Sequence, residues 1–119
     1  MKDFMLIFRD ALPAEEQFAN ASPEEMQAEM EKWNIWMEGL ATQGKLIGGE
    51  PLLPAGKVVR GTAKKITDGA FMEGKEIVGG YLLIKATDLE EATELSKGCP
   101  TLNTDTGTVE VREIMKIQG

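Results

Sequence analysis

The sequence predicts an α+β protein with a ferredoxin-like βαβ(hairpin)βαβ order, a two-layer sandwich of two helices on an antiparallel sheet. Three observations lead to this class. Apolar strand-like runs alternate with two helical segments that carry capping signals, and two short β-type runs separate the halves. The length of 119 residues suits a single domain, 1–119, with one core. Right-handed crossovers then place both helices on the same face of the sheet.

The first half begins with a strand and a long helix. Residues 3–8 are apolar at nearly every position, which is typical of a central strand covered on both faces. A polar stretch with a proline, 10–16, predicts a loop. The helix begins after Ser22, because this serine can cap it, a proline follows, and a glutamate three residues on completes a capping box. It is predicted to run to Thr42 or Gln43, before a glycine.

This helix carries one apolar stripe. Its apolar residues recur at steps of four and three, which predicts packing against the sheet. Trp36 falls outside the stripe, so we expect it at the edge of an interface or a pocket. The stripe consists of Met26, Met30, Trp33, Met37 and Leu40.

The middle of the chain predicts a strand and then a hairpin. Residues 45–53 are strand-like, and Gly48–Gly49 indicates a bulge or a close approach of another backbone. Pro51 indicates a strand end or an edge strand. Two short β-type runs among turn residues, 57–61 and 64–67, predict an inserted hairpin.

The second half repeats the strand-helix-strand order. Residues 78–86 form another apolar strand, and Asp88 begins a shorter helix that ends near Gly98. Residues 108–117 alternate between apolar and polar side chains, which predicts a half-buried strand. Its apolar positions are Val109, Val111, Met115 and Ile117.

One face of this sheet is predicted to be apolar and not covered by a helix. Residues 4–8 and 81–84 are apolar at positions that point to both faces, whereas both helices lie on one side. Large apolar patches of this kind usually mark an interface. We therefore predict a homodimer in which two sheets pack face to face, with a bound ligand in place of the partner as the alternative.

Composition argues against several function classes. The formal charge is −7 and the 13 basic residues are scattered, which disfavours nucleic acid and anionic membrane surfaces as partners. The same charge disfavours anionic substrates, unless a local basic pocket overrides it. The densest basic group comprises Lys57, Arg60, Lys64 and Lys65. A lone Cys99 and the lack of a signal-peptide core predict a cytoplasmic protein.

Several segments, taken in order, resemble the YCII-related (DGPF) family. Residues 66–81 read ITDGAFMEGKEIVGGY, where the family pattern is roughly Asp-Gly-Pro-Phe, Glu, Lys-Glu, then Gly-Gly and an aromatic residue. Similar matches occur at 49–52 (GEPL), 88–92 (DLEEA), 99–100 (CP) and 107–112 (GTVEVR), so the resemblance covers nearly the whole chain. It implies a ferredoxin-like, dimeric α/β-barrel protein.

The chain departs from that family in two respects. A His-Asp active site has been proposed for some members, but this sequence has no histidine, so neither that dyad nor haem ligation by histidine can operate. The proline of the Asp-Gly-Pro-Phe motif is Ala70 here. With no histidine and one cysteine, we expect no metal site and no cofactor.

Carboxylates near the family motif are the candidate catalytic groups. We assign acid-base chemistry to Asp68 and Glu76, although a turn aspartate often bonds its own backbone. The candidate ligand-binding residues include an arginine suited to a carboxylate and a tyrosine beside two glycines. Ion pairing and core or dimer packing are the structural alternatives for them. They are Glu50, Lys75, Tyr81 and Arg112.

Two classes of function are compatible with these residues. The first is a small-molecule-binding protein or an acid-base enzyme, with a pocket between the helices and the sheet. The second is an interaction or regulatory module that uses its acidic surface, linked to transcription only because some family members are encoded near or fused to sigma factors. A scaffold that has lost catalysis together with the histidine is a third alternative.

Overall fold

The computed structural model describes residues 1–11, 20–69 and 77–117, and it has the predicted ferredoxin-like order of elements. A four-stranded antiparallel sheet has the strand order β2-β5-β1-β6, and β3 and β4 form a separate hairpin. Most of the predicted loop at 10–16 lies outside the described residues. The elements are β1 (Lys2–Asp10), α1 (Pro23–Thr42), β2 (Leu46–Pro51), β3 (Lys57–Arg60), β4 (Lys65–Asp68), β5 (Ile77–Ala86), α2 (Leu89–Ser96), a 3-10 helix (Pro100–Asn103) and β6 (Thr108–Glu113).

Both helices begin at the predicted caps. The Ser22 hydroxyl accepts a hydrogen bond from the Glu25 amide at 3.1 Å, and the Asp88 carboxylate accepts one from the Glu91 amide at 2.8 Å. These bonds satisfy amides that have no partner inside the helix. Gly44, with a φ of +70°, follows the end of α1 in the left-handed region that glycine favours. Local chemistry therefore fixes where each helix begins.

The core lies between the sheet and the two helices, which share one face as predicted. Alternate residues of β1 and β5 point into it, and α1 and α2 cover them. Trp33 and Trp36 of α1 pack edge-to-face against Phe8, with ring centroids 5.2 and 6.2 Å away. The buried cluster comprises Phe4, Leu6, Phe8, Leu40, Leu82, Ile84, Ala86, Ala92 and Cys99.

The predicted apolar stripe of α1 is only partly buried. Leu40 is buried and Trp33 and Met37 pack against the core, but Met26 is exposed and Met30 is 61% exposed. Trp36, predicted to lie off the stripe, packs against the core instead. Periodicity shows which side of a helix is apolar, but not how much of its length a neighbouring layer covers.

The last strand is shorter than predicted. It ends at Glu113, and the side chains of Met115 and Ile117 are exposed rather than buried on the predicted face. The reason is its partner: β6 pairs with β1, and the Ile114 amide donates to the Asp3 carbonyl near the point where β1 begins. A strand cannot continue without a partner for its backbone.

The glycines of β2 have the predicted role. The pairing of β2 with β5 shifts register between Leu46 and Gly48, which is the bulge. A Cβ atom on Gly49 would lie 2.4 Å from the Tyr81 carbonyl oxygen, so this position requires a close backbone approach. Pro51 ends β2, which is an edge strand, as predicted. Within the described ranges, no helix is long and apolar enough to cross a membrane.

Candidate functional site

The sheet face opposite the helices brings three of the predicted site residues to one surface. One row of register partners crosses all four strands: Glu50 on β2, Tyr81 on β5, Ile7 on β1 and Glu110 on β6. The alternate residues of β1 and β5 are the buried core residues, so this row points away from the helices. We call this surface the open face.

The centre of the open face is apolar. The next row of register partners is Gly48, Leu83, Met5 and Arg112. The four apolar side chains of the two rows are half-buried, neither in the core nor fully exposed. Apolar groups surrounded by a few polar ones are typical of ligand sites and interfaces. The apolar patch consists of Met5, Ile7, Tyr81 and Leu83.

Charged groups on β1 and β6 border this patch. Arg9 donates to the Glu110 carboxylate at 2.5 Å, and the Arg112 Nε lies 3.9 Å from the other oxygen of that carboxylate. Ion pairing, the structural alternative for Arg112, is therefore present with Glu110 as the partner. Glu110 therefore bonds Arg9 and lies within ion-pair distance of the exposed Arg112, so both guanidinium groups are near the patch.

Arg9 was missed by the sequence reasoning. The alternation of side chains along β1 could have found it. The residues of one face are Asp3, Met5, Ile7 and Arg9, of which the two end residues are charged. The sequence predicts an apolar strand over residues 3–8, so Arg9 lies just outside the prediction and is assigned to no face. The alternation shows that these ends border the apolar patch.

The predicted position of the pocket was wrong. We placed it between the helices and the sheet, but core side chains occupy that space within the described residues. Glu50, Tyr81 and Arg112 instead lie on the opposite face. The error arose because residues of one strand alternate between layers, so a one-residue difference changes the layer that a side chain joins.

The structure does not place Asp68 on the open face. It ends β4, where its carboxylate forms an ion pair with Lys57 across the hairpin, and Gly69 follows with a φ of +88°. Lys75 and Glu76 lie outside the described residues, and so does Ala70 of the family motif.

Open clefts of about 310 and 570 Å³ lie at the base of the hairpin. Asp68, Lys57 and Gly69 border the larger one. Val78 of β5 and residues 52–58 border the smaller one, and the Leu52 amide donates to the Gly79 carbonyl, which ties this base to the main sheet. The hairpin base thus adjoins the strand that carries Tyr81.

Cys99 is not a candidate catalytic nucleophile. Its side chain is buried in the core, and burial raises the pKa of its thiol. A raised pKa keeps the sulfur protonated and therefore poorly nucleophilic.

The fold defines an α+β protein of the ferredoxin-like class. The chain is similar to a solved structure of 5-chloro-2-hydroxyhydroquinone dehydrochlorinase (TftG) from Burkholderia phenoliruptrix AC1100 in complex with 2,5-dihydroxybenzoquinone. The identity is 19%, the alignment covers 94% of this chain and 93% of the other, and the TM-score is 0.53.

The family is shown by the sequence comparison. The model of the YCII-related domain matches residues 4–118, so the chain belongs to the YCII-related domain family. A search of curated proteins found no match. The resemblance inferred from the sequence is therefore confirmed.

Proposed function

We propose that this protein binds a small anionic aromatic molecule on the open face of its sheet. The observation that carries the proposal is the row in which Glu50 and Tyr81 are direct register partners beside Ile7. An apolar surface with a carboxylate, a phenol and nearby guanidinium groups can hold a flat ring and fix its polar substituents.

The residues of the open face and the structural relative both support this chemical class of ligand. TftG was solved with 2,5-dihydroxybenzoquinone, a flat ring with acidic hydroxyl groups. In this chain, Ile7 and Leu83 would support such a ring, and the Tyr81 hydroxyl would donate to one of its oxygens. Arg112 would bind the negative oxygen at the opposite side, since a guanidinium suits a carboxylate or phenolate.

Glu50 is our proposed proton acceptor on this face. It lies beside Tyr81 at the edge strand, where a bound hydroxyl could reach its carboxylate. We retain Glu76 and Lys75 as proposed contributors because they directly precede β5, which carries Tyr81. Asp68 is proposed in the same role from the hairpin base, where it borders a cleft.

We also propose that a second copy of the chain covers the open face. The half-buried Met5, Ile7 and Leu83 give this face the apolar character that two-fold interfaces bury. Two sheets facing each other would enclose the ligand and exclude water from it. Glu50 and Arg112 would then lie at the border of an enclosed space.

A ligand-induced shift in melting temperature tests this proposal. We expect 2,5-dihydroxybenzoquinone or a hydroxybenzoate to raise the melting temperature, because a ligand at one hundred times its Kd stabilises the native state by about 2.7 kcal/mol. Tyr81→Phe and Arg112→Ala should each weaken binding about tenfold by removing a hydrogen bond or a charge.

Glu94→Gln is the matched control, since Glu94 is an exposed carboxylate on α2 that pairs with Lys97. It should leave the ligand shift unchanged. If no compound of this class raises the melting temperature, or if both site variants keep the full shift, the binding proposal is wrong. A complete lack of ligands would favour the interaction module instead.

A further inference from the structure

The hairpin of β3 and β4, Lys57–Asp68, has exposed apolar residues that its own chain does not bury. We call it the arm. Val59 and Ile66 are direct register partners, and they are 61% and 63% exposed. Among the residues that the structure describes, the two strands pair with each other and with no strand of the main sheet. A two-stranded hairpin is marginally stable in water by itself, so it benefits from a surface to pack against.

The arm has the opposite charge to the rest of the protein. It carries four basic residues and one acidic residue, whereas the whole chain has 13 basic and 20 acidic residues. The rest of the chain therefore has nine basic and nineteen acidic residues. A basic apolar arm favours an acidic partner surface, and the body of this same chain offers one.

The outer side of α1 is such a surface. Glu24, Glu31 and Glu38 follow one another at intervals of seven residues, which is two helical turns, so they lie along one line. All three are exposed, and Ile35 beside them is 64% exposed. This line faces away from Trp33 and Leu40, which pack in the core. This side of α1 combines negative charge with one exposed apolar residue, and the arm combines positive charge with two exposed apolar residues.

We propose that the arm of one copy packs across the outer side of α1 of a second copy. Val59 and Ile66 would contact Ile35, and the basic residues at the tip, Lys64 and Lys65, would face Glu31 and Glu38. A two-fold axis repeats the contact, so each dimer has two such junctions. The complementary surfaces are present on every molecule, which is why we choose a second copy over another acidic protein.

Charge reversal tests this arrangement by sedimentation at low ionic strength. Two double variants place like charges together, and each should raise the dimer dissociation constant about tenfold. One carries Lys64→Glu and Lys65→Glu in the arm, and the other carries Glu31→Lys and Glu38→Lys on α1. A chain with all four reversals should regain the affinity, because opposite charges face each other again. Lys97→Glu on α2 is the control and should have no effect, since that side chain is equally exposed but outside the contact.

Cross-linking locates the contact directly. When Ile35→Cys protein is mixed with Val59→Cys protein, oxidation should yield a covalent heterodimer, and Leu89→Cys mixed with Val59→Cys should not. Cys99 does not interfere because it is only 1% exposed. The proposal is overturned if the protein is monomeric, if the four-reversal chain fails to recover, or if no Ile35–Val59 cross-link forms.

These outcomes are independent of ligand binding. The arm variants leave Tyr81 and Arg112 intact, so the melting-temperature shift with ligand reports on the open face separately. Loss of the cross-link with an intact ligand shift would reject the arm contact alone.

Discussion

The two faces of one sheet differ although their strands look alike in sequence. In β1, Phe4 and Leu6 are fully buried beneath the helices, whereas Met5 and Ile7 on the open face are only half-buried. Both sets are apolar. The helix-covered face therefore supplies stability, whereas the open face leaves apolar surface that we propose is covered by a ligand or a second copy. An apolar strand does not by itself indicate a fully buried strand.

The largest effect expected from this comparison comes from adjacent residues of β1. Leu6→Ala removes a fully buried side chain and should lower the free energy of unfolding by about 2–5 kcal/mol. Ile7→Ala removes a half-buried one and should cost about 1 kcal/mol in dilute protein. Urea unfolding of both variants measures the difference. If a second copy covers the open face, the loss of stability caused by Ile7→Ala should grow with protein concentration. If that loss is the same at every concentration, no second copy covers Ile7.

The neighbouring glycines of β2 provide a second pair. Gly49→Ala puts a methyl group against the Tyr81 carbonyl and the Leu82 backbone, so it should destabilise the protein by about 1–3 kcal/mol. Gly48→Ala meets no atom within 4 Å and should change stability by less than about 1 kcal/mol in either direction. Thermal unfolding of the two variants tests this. Equal destabilisation would show that the close approach at Gly49 does not decide the outcome.

A smaller effect is expected where α1 meets α2. The Trp36 indole donates to the Leu95 carbonyl at 3.1 Å, and Trp36→Phe should cost about 1 kcal/mol by leaving that carbonyl without its donor. Trp33→Phe is the control, because both tryptophans contact Phe8 but the hydrogen bond involves Trp36. Chemical denaturation measures both variants. A greater loss in the control would mean that ring packing outweighs the hydrogen bond.

The smallest effect concerns pH at the start of α2. The Thr87 amide donates to the Glu91 carboxylate, and this bond, aided by Lys45 at 3.4 Å and opposed by desolvation, holds the pKa of Glu91 below its usual 4.5. Because the folded-state pKa is lowered, the stabilisation is present above pH 4.5 and disappears as the pH falls through the lower value. The difference in melting temperature between wild type and Glu91→Gln should therefore be largest above pH 4.5 and should shrink as the pH falls.

Lys45→Met distinguishes the two causes of that lowered pKa. This variant keeps the Thr87 hydrogen bond, which has the larger influence, so it should retain most of the pH dependence. If Lys45→Met abolishes the dependence, the ion pair rather than the backbone bond lowers the pKa. If the gap for Glu91→Gln is the same at all pH values, the pKa of Glu91 is not lowered.

The sequence alone determined the features that depend on near neighbours in the chain. Ser22 and Asp88 mark the helix starts, Gly44 marks the end of α1, and Gly48–Gly49 marks the bulge, because these depend on local dihedral angles and hydrogen bonds. The order of these elements was sufficient for the fold class. The sequence also offered Glu50 and Tyr81 as candidate ligand-binding residues, but not that they are adjacent.

Tertiary structure decided everything that depends on distant partners. Three features depend on the extent of another element. They are the face of β1 that the helices cover, the exposure of Met26 and Met30 on α1, and the residue at which β6 ends. The pairing of Glu50 with Tyr81, and of Arg9 with Glu110, results from strand register between segments far apart in the chain. Periodicity along one segment cannot encode these contacts, because each requires a partner whose position is fixed only when the whole sheet assembles.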